Sequence, residues 1–96
     1  MVRFSVLYPA VEGATFDHEY YRDVHVPLAV RTWAPDRVEI DRGIDGPYVA
    51  AVHFTFASHD AMAAALASDG TAEVRADVPN YTMITPVRQV SEIVAS

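Results

Sequence analysis

Residues 2–8, VRFSVLY, alternate Val2, Phe4, Val6 and Tyr8 with Arg3, Ser5 and Leu7, the period of two that gives a strand two distinct faces. Pro9 and Gly13 close the run. From Phe16 the period lengthens. At about 100° per residue, Phe16, Pro27, Tyr20, Val24, Leu28 and Tyr21 fill one arc of roughly 140°, so the pattern predicts an amphipathic helix reaching about Trp33. Thr15 is placed to cap it, with Asp17 and Glu19 in the first turn, where negative charge suits the macrodipole. RVEIDRGI (37–44) reads as a second strand, Asp45-Gly46 as a hairpin turn and YVAAVHFTFA (48–57) as a third strand. In that third strand Tyr48, Val52, Phe54 and Phe56 share one face and Val49, Ala51, His53 and Thr55 the other, and both faces are predicted to be buried. Ser58 caps an alanine-rich helix, HDAMAAALAS (59–68), which Gly70 ends; TAEVRAD (71–77) adds a turn or two before Pro79. A last strand is predicted from about Tyr81 to Val94, with Pro86 at an edge or a bulge.

The order β-α-β-β-α-β, with right-handed crossovers, puts strands 1 and 3 at the centre of an antiparallel sheet with both helices on one face. The expected fold class is therefore α+β, a ferredoxin-like protomer, with residues 1–96 as one domain. Its second sheet face has no cover within the chain. A second copy is the simplest cover, so a homodimer is expected, its sheets face to face or forming a shared barrel. Size points the same way, because a chain of 96 residues buries only roughly 60–65% of its unfolded surface.

Pro27 sits inside the first helix, where a proline costs about 3 kcal/mol by removing a donor and crowding the carbonyl four residues back, that of Asp23. His25 lies just past the edge of the apolar arc, beside Tyr21, and four residues separate the two, so both reach one small ligand. Histidine gives or takes a proton near neutrality, as general acid or base catalysis requires, and tyrosine supplies an oriented hydroxyl. The competing reading is structural, with His25 hydrogen-bonding the carbonyl that Pro27 leaves free.

Composition narrows the chemistry. The residues are 51% hydrophobic and 21% charged, and the formal net charge is −6. Every basic residue is arginine and none forms a run, which argues against a nucleic-acid partner. The absence of cysteine excludes disulfides, thiolate metal sites and a cysteine nucleophile. No apolar stretch reaches about 18 residues and the N-terminus is strand-like, so neither membrane insertion nor targeting is expected, and the location is read as cytoplasmic. The four histidines lack metal-ligand spacing, so no metal is expected. No phosphate-binding loop, dinucleotide fingerprint or nucleophile elbow occurs, so no cofactor is expected.

The stretches SVLYP (5–9), FDHEYYRDVHVPLA (16–29), DVPNYT (77–82) and TPVRQVSEIV (85–94) resemble the EthD family, named for ethyl tert-butyl ether degradation. The resemblance implies a ferredoxin-like protomer in a dimeric α+β barrel, a cofactor-independent reaction of oxidoreductase, isomerase, cyclase or decarboxylase type, and a small apolar, oxygen-bearing organic substrate from a catabolic or secondary pathway. It also makes the matching His25 a signature position. Beside His25 and Tyr21 as catalytic candidates, His53, Tyr81, Tyr8 and Tyr20 are candidates for binding substrate, since each sits where a strand or helix could wall a pocket. Asp77 and Arg22 read as solvated or helix-end charges, and His18 and His59 as exposed. The alternative is a non-catalytic binding or accessory protein, with a haem-binding barrel a lesser option for want of a distinct axial ligand.

Overall fold

Strands β1 (Val2–Pro9), β2 (Arg37–Arg42), β3 (Tyr48–Phe56) and β4 (Val87–Glu92) form one antiparallel sheet in a computed structural model that describes all residues 1–96. Their order is β2-β3-β1-β4, so β1 and β3 are central as the connectivity requires. Helical segments α1 (His18–Tyr20), α2 (Val26–Trp33), α3 (His59–Leu66) and α4 (Thr71–Ala76) complete the α+β ferredoxin-like fold. They cover the face carrying Phe4, Tyr8, Ala50, Val52, Phe54 and Phe56, all of them buried in the core. No helix is long and apolar enough to cross a membrane.

The first helix begins later than its periodicity implies. Asp17, rather than Thr15, is the N-cap, its carboxylate accepting the Tyr20 amide at 3.1 Å. Thr15 and Phe16 are held out of the helix by Thr82, whose hydroxyl donates to the Thr15 carbonyl at 2.8 Å and whose backbone bridges Phe16. The same tie shortens the last strand. Tyr81 accepts the Asp17 amide through its carbonyl, so residues 81–82 pair with the helix entry and β4 starts only at Val87. Pro86 therefore precedes the strand instead of interrupting it, and its missing N–H removes no ladder bond.

The hairpin is also wider than a two-residue turn. β2 ends at Arg42; one further in-register bond, from the Gly43 amide to the Val49 carbonyl at 2.9 Å, follows it, and Pro47 has no N–H to extend the pairing. A Cβ at Gly43 would lie 2.0 Å from the Tyr48 carbonyl oxygen, so only glycine fits there. Tyr48 is exposed at the strand end rather than in the core.

The face without helices is more polar than strand 3 alone suggested. Pairing places Ser5 opposite His53 and His53 opposite Glu39. The His53 ring bridges Ser5 Oγ, 2.7 Å from Nδ1, and Asp41, 2.9 Å from Nε2. Leu7 and Ala51 make its apolar end.

Candidate active site

Pro27 does not break the first helix, because the chain loosens before reaching it. Residues Tyr21–His25 form a π turn in which the Val26 amide reaches back five residues to the Tyr21 carbonyl. α2 starts at Val26, so Pro27 falls in its first turn, where a missing donor costs little. A π turn advances less than 100° per residue, and the helical phase slips accordingly. Val24, predicted to be inward, is 45% exposed, and His25, predicted at the boundary, is buried with 7% of its surface accessible. The Tyr21 and His25 rings stack with centroids 5.5 Å apart and planes 14° from parallel.

Asp77 closes the site from behind. It caps α4, and its Oδ2 lies 2.9 Å from His25 Nδ1, while Oδ1 accepts the Tyr20 hydroxyl at 2.7 Å and the Asn80 amide at 2.9 Å. The side chain is only 12% exposed. It is thus no solvated charge, and Arg22 takes Asp23 instead, in solvent, at 2.7 Å. Burial pushes the Asp77 carboxyl up, but the hydrogen bonds from Tyr20, Asn80 and His25 outweigh it and hold it below the usual carboxylate range. An ionised carboxylate only accepts, so His25 Nδ1 carries the hydrogen and donates. Burial lowers the His25 pKa below its ordinary value, the Asp77 charge only partly opposing the shift. At neutral pH His25 is a neutral imidazole whose Nε2 has no protein partner and offers a lone pair.

His25 lines a cavity of about 100 Å³ between the helices and the sheet. Phe4, Trp33, Val52, Phe54 and Val74 make its apolar walls; Tyr8, Tyr21, Arg75 and Arg88 add polar groups. The Tyr21 hydroxyl is buried and without a hydrogen-bond partner. Burial raises its pKa far above the ordinary phenol value, aided by neighbouring Tyr8, so it stays a donor. Burial also raises Tyr8, against the hydrogen bond of Tyr81, the nearness of the Tyr21 hydroxyl and the charge of Arg88.

The structure thus brings His25, Tyr21 and Tyr8 to one cavity. Tyr81 stands just behind, its ring 4.5 Å from that of His25 and its hydroxyl bonded to that of Tyr8. Tyr20 does not line the cavity; it donates to Asp77 and stacks on Tyr81 from outside. His53 lies on the opposite sheet face. His18, expected to be exposed, is half-buried against the Phe16 ring at 4.7 Å, whereas His59 is exposed. No group of three or more His, Cys, Asp or Glu side chains is gathered closely enough to hold a metal ion. Sequence reasoning missed Trp33, Arg75 and Arg88; Arg75 sits between Glu73 and Asp77 and Arg88 beside Gln89, so neither arginine stood out from an ordinary solvated surface.

No protein-family model and no curated protein matches the sequence. Solved structures do. The chain is similar to an EthD-like protein from Ralstonia eutropha JMP134, at 36% identity and a TM-score of 0.91, covering 99% of this chain and 93% of that one. An EthD family protein from Bacillus halodurans C-125 aligns at 18% identity and a TM-score of 0.77 over 96% and 97% of the two chains. A mutant of SnoaB, a cofactor-independent oxygenase from Streptomyces nogalater, shares the fold at 14% identity and a TM-score of 0.74 over 99% and 94%.

Proposed function

We propose, from the premise that this chain belongs to the EthD-like family, that it is a homodimeric enzyme catalysing proton transfer on a small apolar, oxygen-bearing organic molecule without a bound cofactor. The observation that carries the reading is the His25–Asp77 pair set against an apolar cavity: one imidazole nitrogen is fixed by a buried carboxylate and the other is free beside the cavity. Such a pair makes a general base, because Asp77 fixes the tautomer and stabilises the imidazolium formed when Nε2 takes a proton. Tyr21, protonated and unpartnered, donates to the substrate oxygen on which negative charge develops.

Isomerisation, cyclisation, decarboxylation and oxygenation are all compatible with an anion held this way, with dioxygen as co-substrate in the last. The shared fold of a cofactor-independent oxygenase supports the reading without choosing among these reactions. Deuterium exchange into a panel of small enolisable ketones, followed by NMR, tests it. Wild type should accelerate exchange for at least one member, and folded His25→Ala should lose about 10²- to 10⁴-fold. A loss below tenfold would remove His25 as the base. Ketones that bind without exchanging in wild type would favour a carrier.

A further inference from the structure

The chain carries a formal net charge of −6, yet no carboxylate lines its apolar cavity, whereas two arginines do. Arg75 comes from α4 and Arg88 from β4, both exposed, so their charged ends belong to the cavity mouth. Neither is paired with an acid; Arg3, Arg31 and Arg42 are likewise unpaired, but only Arg75 and Arg88 line this cavity. The one acid near the site, Asp77, is committed to His25, Tyr20 and Asn80. Two unpaired guanidiniums above an aromatic-walled pocket form a receptor for a planar anion, since the guanidinium fork matches a carboxylate and an apolar wall holds the body attached to it.

Resting on the reading that this cavity is the reaction site, we propose that its substrate is a carboxylate on a small ring or short branched chain, with the carboxylate held by Arg75 and Arg88 at the mouth and the apolar part inside. The volume agrees. An enclosed apolar cavity of about 150 Å³ takes up benzene, and this one, about 100 Å³ and open at the mouth, suits one small ring whose polar end stays outside. Binding by the mouth arginines leaves the opposite end of the molecule beside His25 and Tyr21, so the anion selects and orients while the inner groups react.

The lone tryptophan, Trp33, lies in the cavity wall and reports occupancy by its fluorescence. Benzoate and its neutral isostere benzamide are the probes. Benzoate should bind about tenfold tighter than benzamide at low salt, a preference that shrinks as salt screens the exposed arginines. Arg75→Gln and Arg88→Gln should each erode that preference and together abolish it, leaving benzamide affinity unchanged. His25→Gln should lose ketone exchange but keep the preference for benzoate, which separates recognition of the anion from the proton-transfer chemistry. Equal affinity for the two probes, or a preference surviving the double arginine variant, would overturn the assignment of the anion site alone. No response of Trp33 to either probe would overturn both it and the cavity reading beneath it.

Discussion

A phenol with 1% of its surface exposed and nothing bonded to its hydroxyl is a costly core residue, because an unmet buried polar group forfeits about 1–3 kcal/mol. Tyr21→Phe should therefore raise folding stability by about 1 kcal/mol in urea denaturation while slowing ketone exchange. Lowered stability would instead mean that the hydroxyl is satisfied in the fold. His25 makes a prediction of the opposite kind. Burial sets its folded pKa below the ordinary value near 6.5, so as pH falls the unfolded chain takes up the proton first. The associated stability is complete above that pH and declines as pH drops toward the folded pKa. His25→Gln keeps a donor for Asp77 but does not titrate, so between pH 7 and about 5 its stability should fall less steeply than that of wild type. His25 and Tyr21 were legible in the sequence because four residues on a helix put them together. Asp77 was not: it lies 52 positions from His25 beside a proline-bearing turn, and only the docking of α4 beside the π turn makes it a partner.

The helical segments show what periodicity can and cannot reveal. All four strands and both helical regions follow from their patterns, but the wheel assumed one uniform twist across residues 16–33. The π turn breaks that assumption at Tyr21–His25 and exchanges Val24 for His25 on the inner side. Neither residue type announces the change; Pro27 does, by disfavouring a regular turn around Asp23 by about 3 kcal/mol. Pro27→Ala restores the amide that would let those residues rewind. Its melting temperature should match or exceed that of wild type, while ketone exchange falls by about tenfold or more as His25 turns away from the cavity. A markedly unstable variant with full activity per folded molecule would refute this account of the turn. The ends of the last strand and of the first helix were illegible for a shared reason: Thr82 and Tyr81 hold residues 15–17 through contacts some 65 positions apart.

For the whole molecule, the proposed homodimer would meet across the uncovered sheet face. Its apolar end, Leu7 with Ala51 and Val87, adjoins a polar one built on His53, Ser5 and Asp41, a mixture suited to an interface with its own fixed register. In the proposed dimer Leu7→Arg places two like charges at a two-fold contact, so wild type should sediment as a dimer and the variant, with unchanged circular dichroism, as a monomer. Unchanged sedimentation would show that the sheets do not meet there. The central position of β1 has a different consequence, for the order in which the protein forms. Residues 2–9 pair with β3 and residues 2–7 also with 87–92, so a chain made only through β3 can form part of the sheet but not the cavity wall that Arg88 supplies. Contacts of such sequence separation favour slow, cooperative folding in which the sheet and the cavity appear together.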